Sequence, residues 1–122
     1  MLVRTMPLLA ALMMVSACGS ASGSTPREVD TAHCYAMSLV FSDLANFAKA
    51  PPPQREALAK VRSHFATKFQ NAVADVVTRG GDVNGLSEQT MAFLEEVKKD
   101  PLKRKDDFRK CTDSALADLG VG

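Results

Sequence analysis

Along most of the chain apolar residues recur at spacings of three and four, and no stretch alternates in the two-residue rhythm of a strand. The pattern predicts four helices. The first opens at Thr25-Pro26-Arg27-Glu28, where Thr25 can cap, Pro26 suits the first helical position and Glu28 completes a capping box. It runs to about Ala50, with Val29, His33, Met37, Val40, Leu44 and Phe47 on one broad apolar face and Cys34 at its edge. Ser38, Ser42, Asn46 and Lys49 fall on the opposite side. Pro51-Pro52-Pro53 ends it, because each proline lacks an amide donor and restricts the residue before it. A second helix, from about Pro53 to Arg79, carries Leu58, Val61, Phe65, Phe69, Val73 and Val76 on one stripe and stops at Gly80-Gly81. The stretch from Gly80 to Leu86 is predicted as a loop. Ser87 then caps a short third helix, Glu88 to Lys99, with Leu86 and Met91 as a hydrophobic staple and Phe93, Leu94 and Val97 on one side. Asp100-Pro101 starts a fourth helix that carries Phe108, Cys111, Ala115 and Leu119 and ends at Gly120.

Ahead of the helices lies a different pattern. Arg4 is the only charge before residue 18, and Pro7 to Val15 is an unbroken apolar run ended by Ser16. Such a run is too short for a membrane-spanning helix, which needs ~20 residues. A positive start, a short apolar middle and small residues at the end are the marks of a secretory signal peptide. Its final residues, Val15-Ser16-Ala17-Cys18 followed by Gly19-Ser20, resemble the lipobox of bacterial lipoprotein signal peptides. The resemblance covers residues 1–20, with Val15 standing where leucine is commonest. It implies removal of residues 1–17, a diacylglyceryl thioether on Cys18 and acylation of the new amine. Two or three acyl chains hold a protein firmly, where one holds it only marginally. The competing expectation is ordinary cleavage after Ala17 or Ala21, which gives a soluble secreted protein. In the lipoproteins it resembles, an acidic residue after the cysteine commonly signals retention in the inner membrane. Gly19 and Ser20 are not acidic, so the outer membrane, facing the periplasm, is the expected location.

Removing the signal changes the composition. The 122-residue chain has a net charge of +1; from Cys18 onward it has 14 basic and 14 acidic residues, and only Met37 and Met91 remain of six methionines. With Cys18 taken by lipid, Cys34 and Cys111 are left as one pair, most simply a disulfide in an oxidising envelope, the alternative being two free thiols. Ser20 to Ser24 reads as a flexible linker, so residues 18–25 form a lipidated tether and residues 26–122 a helical domain.

Candidate chemistry is sparse. His33 lies on an apolar face and His64 on a polar flank, which predicts no metal site and no haem. Glu95-Glu96 and Asp106-Asp107 are sequence neighbours that point about 100° apart on a helix, so neither pair makes a carboxylate dyad. The glycines at 80, 81 and 85 follow a helix and lack the lysine of a phosphate-binding loop. Lys98 to Lys110 is the most uneven segment, with seven basic and three acidic residues. Lys98, Lys99, Lys103, Arg104, Lys105, Arg109 and Lys110 are either a solvated helix junction or a contact for anionic lipid or an envelope polyanion.

These readings predict a small all-α bundle of about four helices, clipped by a disulfide between the first and last. The expected role is a non-enzymatic binding or adaptor module, anchored to a membrane of the bacterial envelope and partnered by an envelope protein. No cofactor, nucleic acid or small-molecule substrate is expected. The alternatives are a small periplasmic inhibitor or immunity-type protein, and a soluble secreted helical protein.

Overall fold

The computed structural model describes residues 23–120. The signal peptide and Cys18 therefore lie outside the described residues. The described chain is all-α: α1 (Pro26–Phe47), α2 (Pro52–Thr78), α3 (Val83–Lys99), a short 3-10 turn (Pro101–Arg104) and α4 (Lys105–Asp118). No strand occurs among the described residues. Short connections make successive helices antiparallel. Arg79, at the end of α2, returns to Glu28 at the start of α1. Lys98, at the end of α3, lies beside Phe47 at the end of α1. The bundle thus has a base, where the chain enters at Gly23, and a tip, which holds the ends of α1 and α3 and the 3-10 turn.

α1 is the central helix, in contact with α2, α3, α4 and the 3-10 turn. The larger core cluster joins Met37 and Val40 of α1 to Val61 and Phe65 of α2, Val97 of α3, and Phe108, Cys111 and Ala115 of α4. Phe41 stacks on Phe108 with ring centres 4.6 Å apart. A smaller cluster at the base packs Ala32, Val76 and Leu86 together, with Phe69, Val73 and Val83 against them. Cys34 and Cys111 form a disulfide between α1 and α4.

The capping box at Thr25 forms as the sequence predicts: Thr25 Oγ1 accepts from the Glu28 amide at 3.1 Å, and Glu28 Oε1 accepts from the Thr25 amide at 2.9 Å. The start of the third helix differs. It begins at Val83 rather than Glu88, because the Asp82 carboxylate caps it by accepting from the Gly85 amide at 2.9 Å. A Cβ at Gly85 would lie 2.5 Å from Asp82 Oδ2, so a side chain there would displace the capping carboxylate. Met91 is accordingly 56% exposed and not half of a staple, while Leu86 is fully buried. Asp100-Pro101 opens the 3-10 turn instead of α4, which starts four residues later at Lys105.

Two faces of α1 also depart from the sequence pattern. Ser38 and Ser42 are buried, not on a solvent side, because α1 is covered by neighbours around much of its circumference. Ser38 Oγ donates to the Tyr35 carbonyl at 2.7 Å, which removes the cost of burying the hydroxyl. Phe47, predicted on the apolar face, is 89% exposed, because α1 ends there beyond the reach of its neighbours. Leu44 and Leu119 are likewise exposed.

Candidate functional site

The basic segment does not form one surface. Arg104 turns inward: its guanidinium lies 4.9 Å from the centre of the Phe93 ring and pairs with Glu96 at 3.4 Å and Asp107 at 3.6 Å. Lys110 borders a groove beside the disulfide that His33 and Arg104 share. Arg109 is exposed on α4. Lys98 pairs with Glu95 at 3.3 Å and edges a different groove at the tip. Lys99, Lys103 and Lys105 are exposed around the 3-10 turn, with no ion-pair partner among the described residues.

The tip groove is open and about 440 Å³ in volume. Leu39, Leu44 and Phe47 of α1, Leu94 of α3 and Pro101 form its apolar walls. Arg62 and Lys98 stand at its margin, and Arg62 is 3.5 Å from Asp43 on the same rim. Next to Pro101, Leu102 is 76% exposed. The result is an apolar strip with cations around it. Sequence reasoning missed this strip. Periodicity gives Phe47 a face but cannot say where the neighbouring helices stop. The signal that was present is Leu102, an isolated apolar residue in a run of charge.

The base holds the other polar constellation. Arg79 donates through Nη1 to Glu28 Oε2 at 2.9 Å and through Nη2 to Glu28 Oε1 at 2.6 Å, and also to the Gly23 carbonyl. The hydrogen bond from Arg79, which outweighs the opposing effect of burial, holds the Glu28 carboxyl below its ordinary range. Arg79 is raised in turn by the same contact. This clamp ties the end of α2 to the point where the chain enters α1. Ser24 is buried and Gly23 is clamped, so the last residues of the predicted linker belong to the fold.

The histidines do not converge. His33 stacks on Phe93 with ring centres 3.9 Å apart, and burial, as the leading cause, pushes its pKa down. His64 Nε2 lies 3.2 Å from Asp118 Oδ2, which Lys68 Nζ approaches at 3.5 Å. Among the described residues no group of three or more His, Cys, Asp or Glu side chains could hold a metal ion, and no helix is long and apolar enough to cross a membrane. No family model, curated protein or solved structure matches the chain.

Proposed function

We propose that this chain is a bacterial envelope lipoprotein, anchored through Cys18, whose helical domain serves as a binding or adaptor module and not as an enzyme. The observation that carries this reading is the pairing of the other two cysteines. Cys34 is bonded to Cys111, so Cys18 is the odd sulfur of three, and only Ser16 and Ala17 separate it from the apolar run. A disulfide across the bundle suits an oxidising compartment. The clamp at Gly23 adds a distance. Gly23 lies five positions after Cys18, so the anchor and the base lie within about 18 Å of each other at full extension.

Intact mass of the protein purified from membranes tests the reading. The expected species begins at Cys18, carries diacylglyceryl and amide-linked acyl groups, and is two hydrogens lighter than its reduced form. Cys18→Ser should release the protein from the membrane fraction. A mature N-terminus at Ser22, or an unmodified Cys18, overturns the proposal.

A further inference from the structure

We infer that the tip, with Phe47 and Leu102 at its crest, is a docking surface for an anionic lipid bilayer. The inference rests on the reading above only in placing the domain beside a membrane. Phe47 is 89% exposed and forms the wall of the groove with Leu44, Leu94 and Pro101, and Leu102, the next residue after Pro101 along the chain, is 76% exposed. Single exposed apolar residues are ordinary, whereas a contiguous strip on a small domain marks an interaction surface.

The charge around the strip selects the partner. Lys49, Lys99, Lys103 and Lys105 are exposed without an ion-pair partner among the described residues. Most carboxylates at this end are engaged within the protein: Asp43 with Arg62, Glu95 with Lys98, and Glu96 and Asp107 with Arg104. Asp100, Asp106 and, near the start of α2, Glu56 remain, against four free lysines. Lysines keep their ammonium groups at headgroup level while their stems lie along apolar surface, and each gains from an anionic leaflet. A polyanionic polymer would satisfy the lysines but gives Phe47 and Leu102 no apolar medium. A bilayer interface accepts both.

The geometry then fixes an orientation. α1 has 22 residues and so holds Phe47 about 33 Å from the base. An upright domain would keep the tip clear of the leaflet that holds the anchor. Contact requires the bundle to lie along the membrane, tethered at one end and seated at the other.

The chain contains no tryptophan, so Phe47→Trp supplies a single indole at the crest. The full-length mature protein with this substitution is reconstituted in vesicles of phosphatidylcholine, with or without phosphatidylglycerol. The expected result is a blue shift of the indole emission, and quenching by brominated acyl chains, only where phosphatidylglycerol is present. Adding Lys99→Glu, Lys103→Glu and Lys105→Glu should weaken the response about tenfold or more, with unchanged circular dichroism. Equal emission in the two vesicle types overturns the inference, as does a shift that survives the charge reversals. A shift that grows with protein concentration in detergent without vesicles overturns it in favour of a second copy of the chain. Flotation with phosphatidylcholine vesicles reads the anchor separately. Flotation without a shift leaves the anchor standing and removes the tip contact; a shift on phosphatidylglycerol without flotation on phosphatidylcholine does the reverse.

Discussion

The two ends of the bundle close their helices with the same hydrogen bonds and different chemistry. At the base, α2 ends with the Gly81 amide donating to the Val76 carbonyl at 2.8 Å and the Gly80 amide to Val77 at 3.0 Å. At the tip, α1 ends with the Ala50 amide donating to Ala45 at 2.9 Å and the Lys49 amide to Asn46 at 3.2 Å. The pivotal residue has positive φ in both, +76° at Gly80 and +54° at Lys49. Glycine takes that conformation without strain; lysine does not. The base also has Thr25 and Asp82 as caps and the Arg79 clamp, while α2 at the tip starts from Pro51 with no side-chain cap. A sequence shaped for stability alone would put glycine at 49 and a polar residue at 47. Stabilising features gather where the chain is held, and unfavourable ones where we place the contact.

Breaking the core or the base should be costly and altering the tip cheap. The largest effect is expected from the disulfide, whose cysteines are 77 positions apart. Closing such a loop contributes about 4 kcal/mol, so Cys34→Ala with Cys111→Ala should lower the melting temperature by roughly 20 °C. An unchanged melt in strong reductant would show that the bond does not support the fold. Next, Leu86→Ala empties the base cluster and should lose about 3 kcal/mol in urea unfolding. The third break is acid. Glu28 has a lowered folded pKa, so below its unfolded value the unfolded state binds more protons. Its contribution is present above about pH 4.5 and fades as pH falls through the folded value. Arg79→Gln should therefore destabilise the protein at pH 7, and the gap to the parent should narrow toward pH 3, as read by thermal melts. His33 has the same sign at higher pH: its lowered folded pKa means that stability falls as pH drops below about 6.5, and His33→Gln should flatten that slope.

At the tip the sign reverses. Lys49→Gly should stabilise the fold by about 1 kcal/mol by removing the strained conformation. Phe47→Ser should leave stability within about 0.5 kcal/mol, because the ring touches little. A large loss from Phe47→Ser would mean that the two ends are not different in the way described.

The sequence carried the helices of this fold because each is punctuated locally. Thr25 with Glu28 sets the start of α1, the proline run the start of α2 and Gly80-Gly81 its end, each within about one residue of that observed, whereas α1 ends at Phe47, short of the expected Ala50. Asp82 was hidden because Gly85 looks like a loop residue until its amide is seen bound to the aspartate. Ser38 and Phe47 were misplaced for a related reason. A helical wheel gives direction, but not how many neighbours surround a helix or where they end. The pair Cys34 and Cys111 was legible from parity and the expected compartment, whereas Arg79 with Glu28, 51 positions apart, left no local trace. The basic run was legible as composition only; its division among a half-buried guanidinium over Phe93, a groove edge and free lysines is tertiary.

The disulfide also constrains the order of chemical events. On the lipoprotein reading, a chain exported from its N-terminal side presents Cys18 and Cys34 together, long before Cys111, 77 positions beyond Cys34. In that interval the thiol most available to Cys34 is the wrong one. If Cys18 is alkylated early, it can no longer enter thiol exchange, and Cys34 must wait for its distant partner. On the lipoprotein reading, the diacylglyceryl group is then a protecting group as well as an anchor, and a Cys18 left unmodified becomes a source of misfolded isomers.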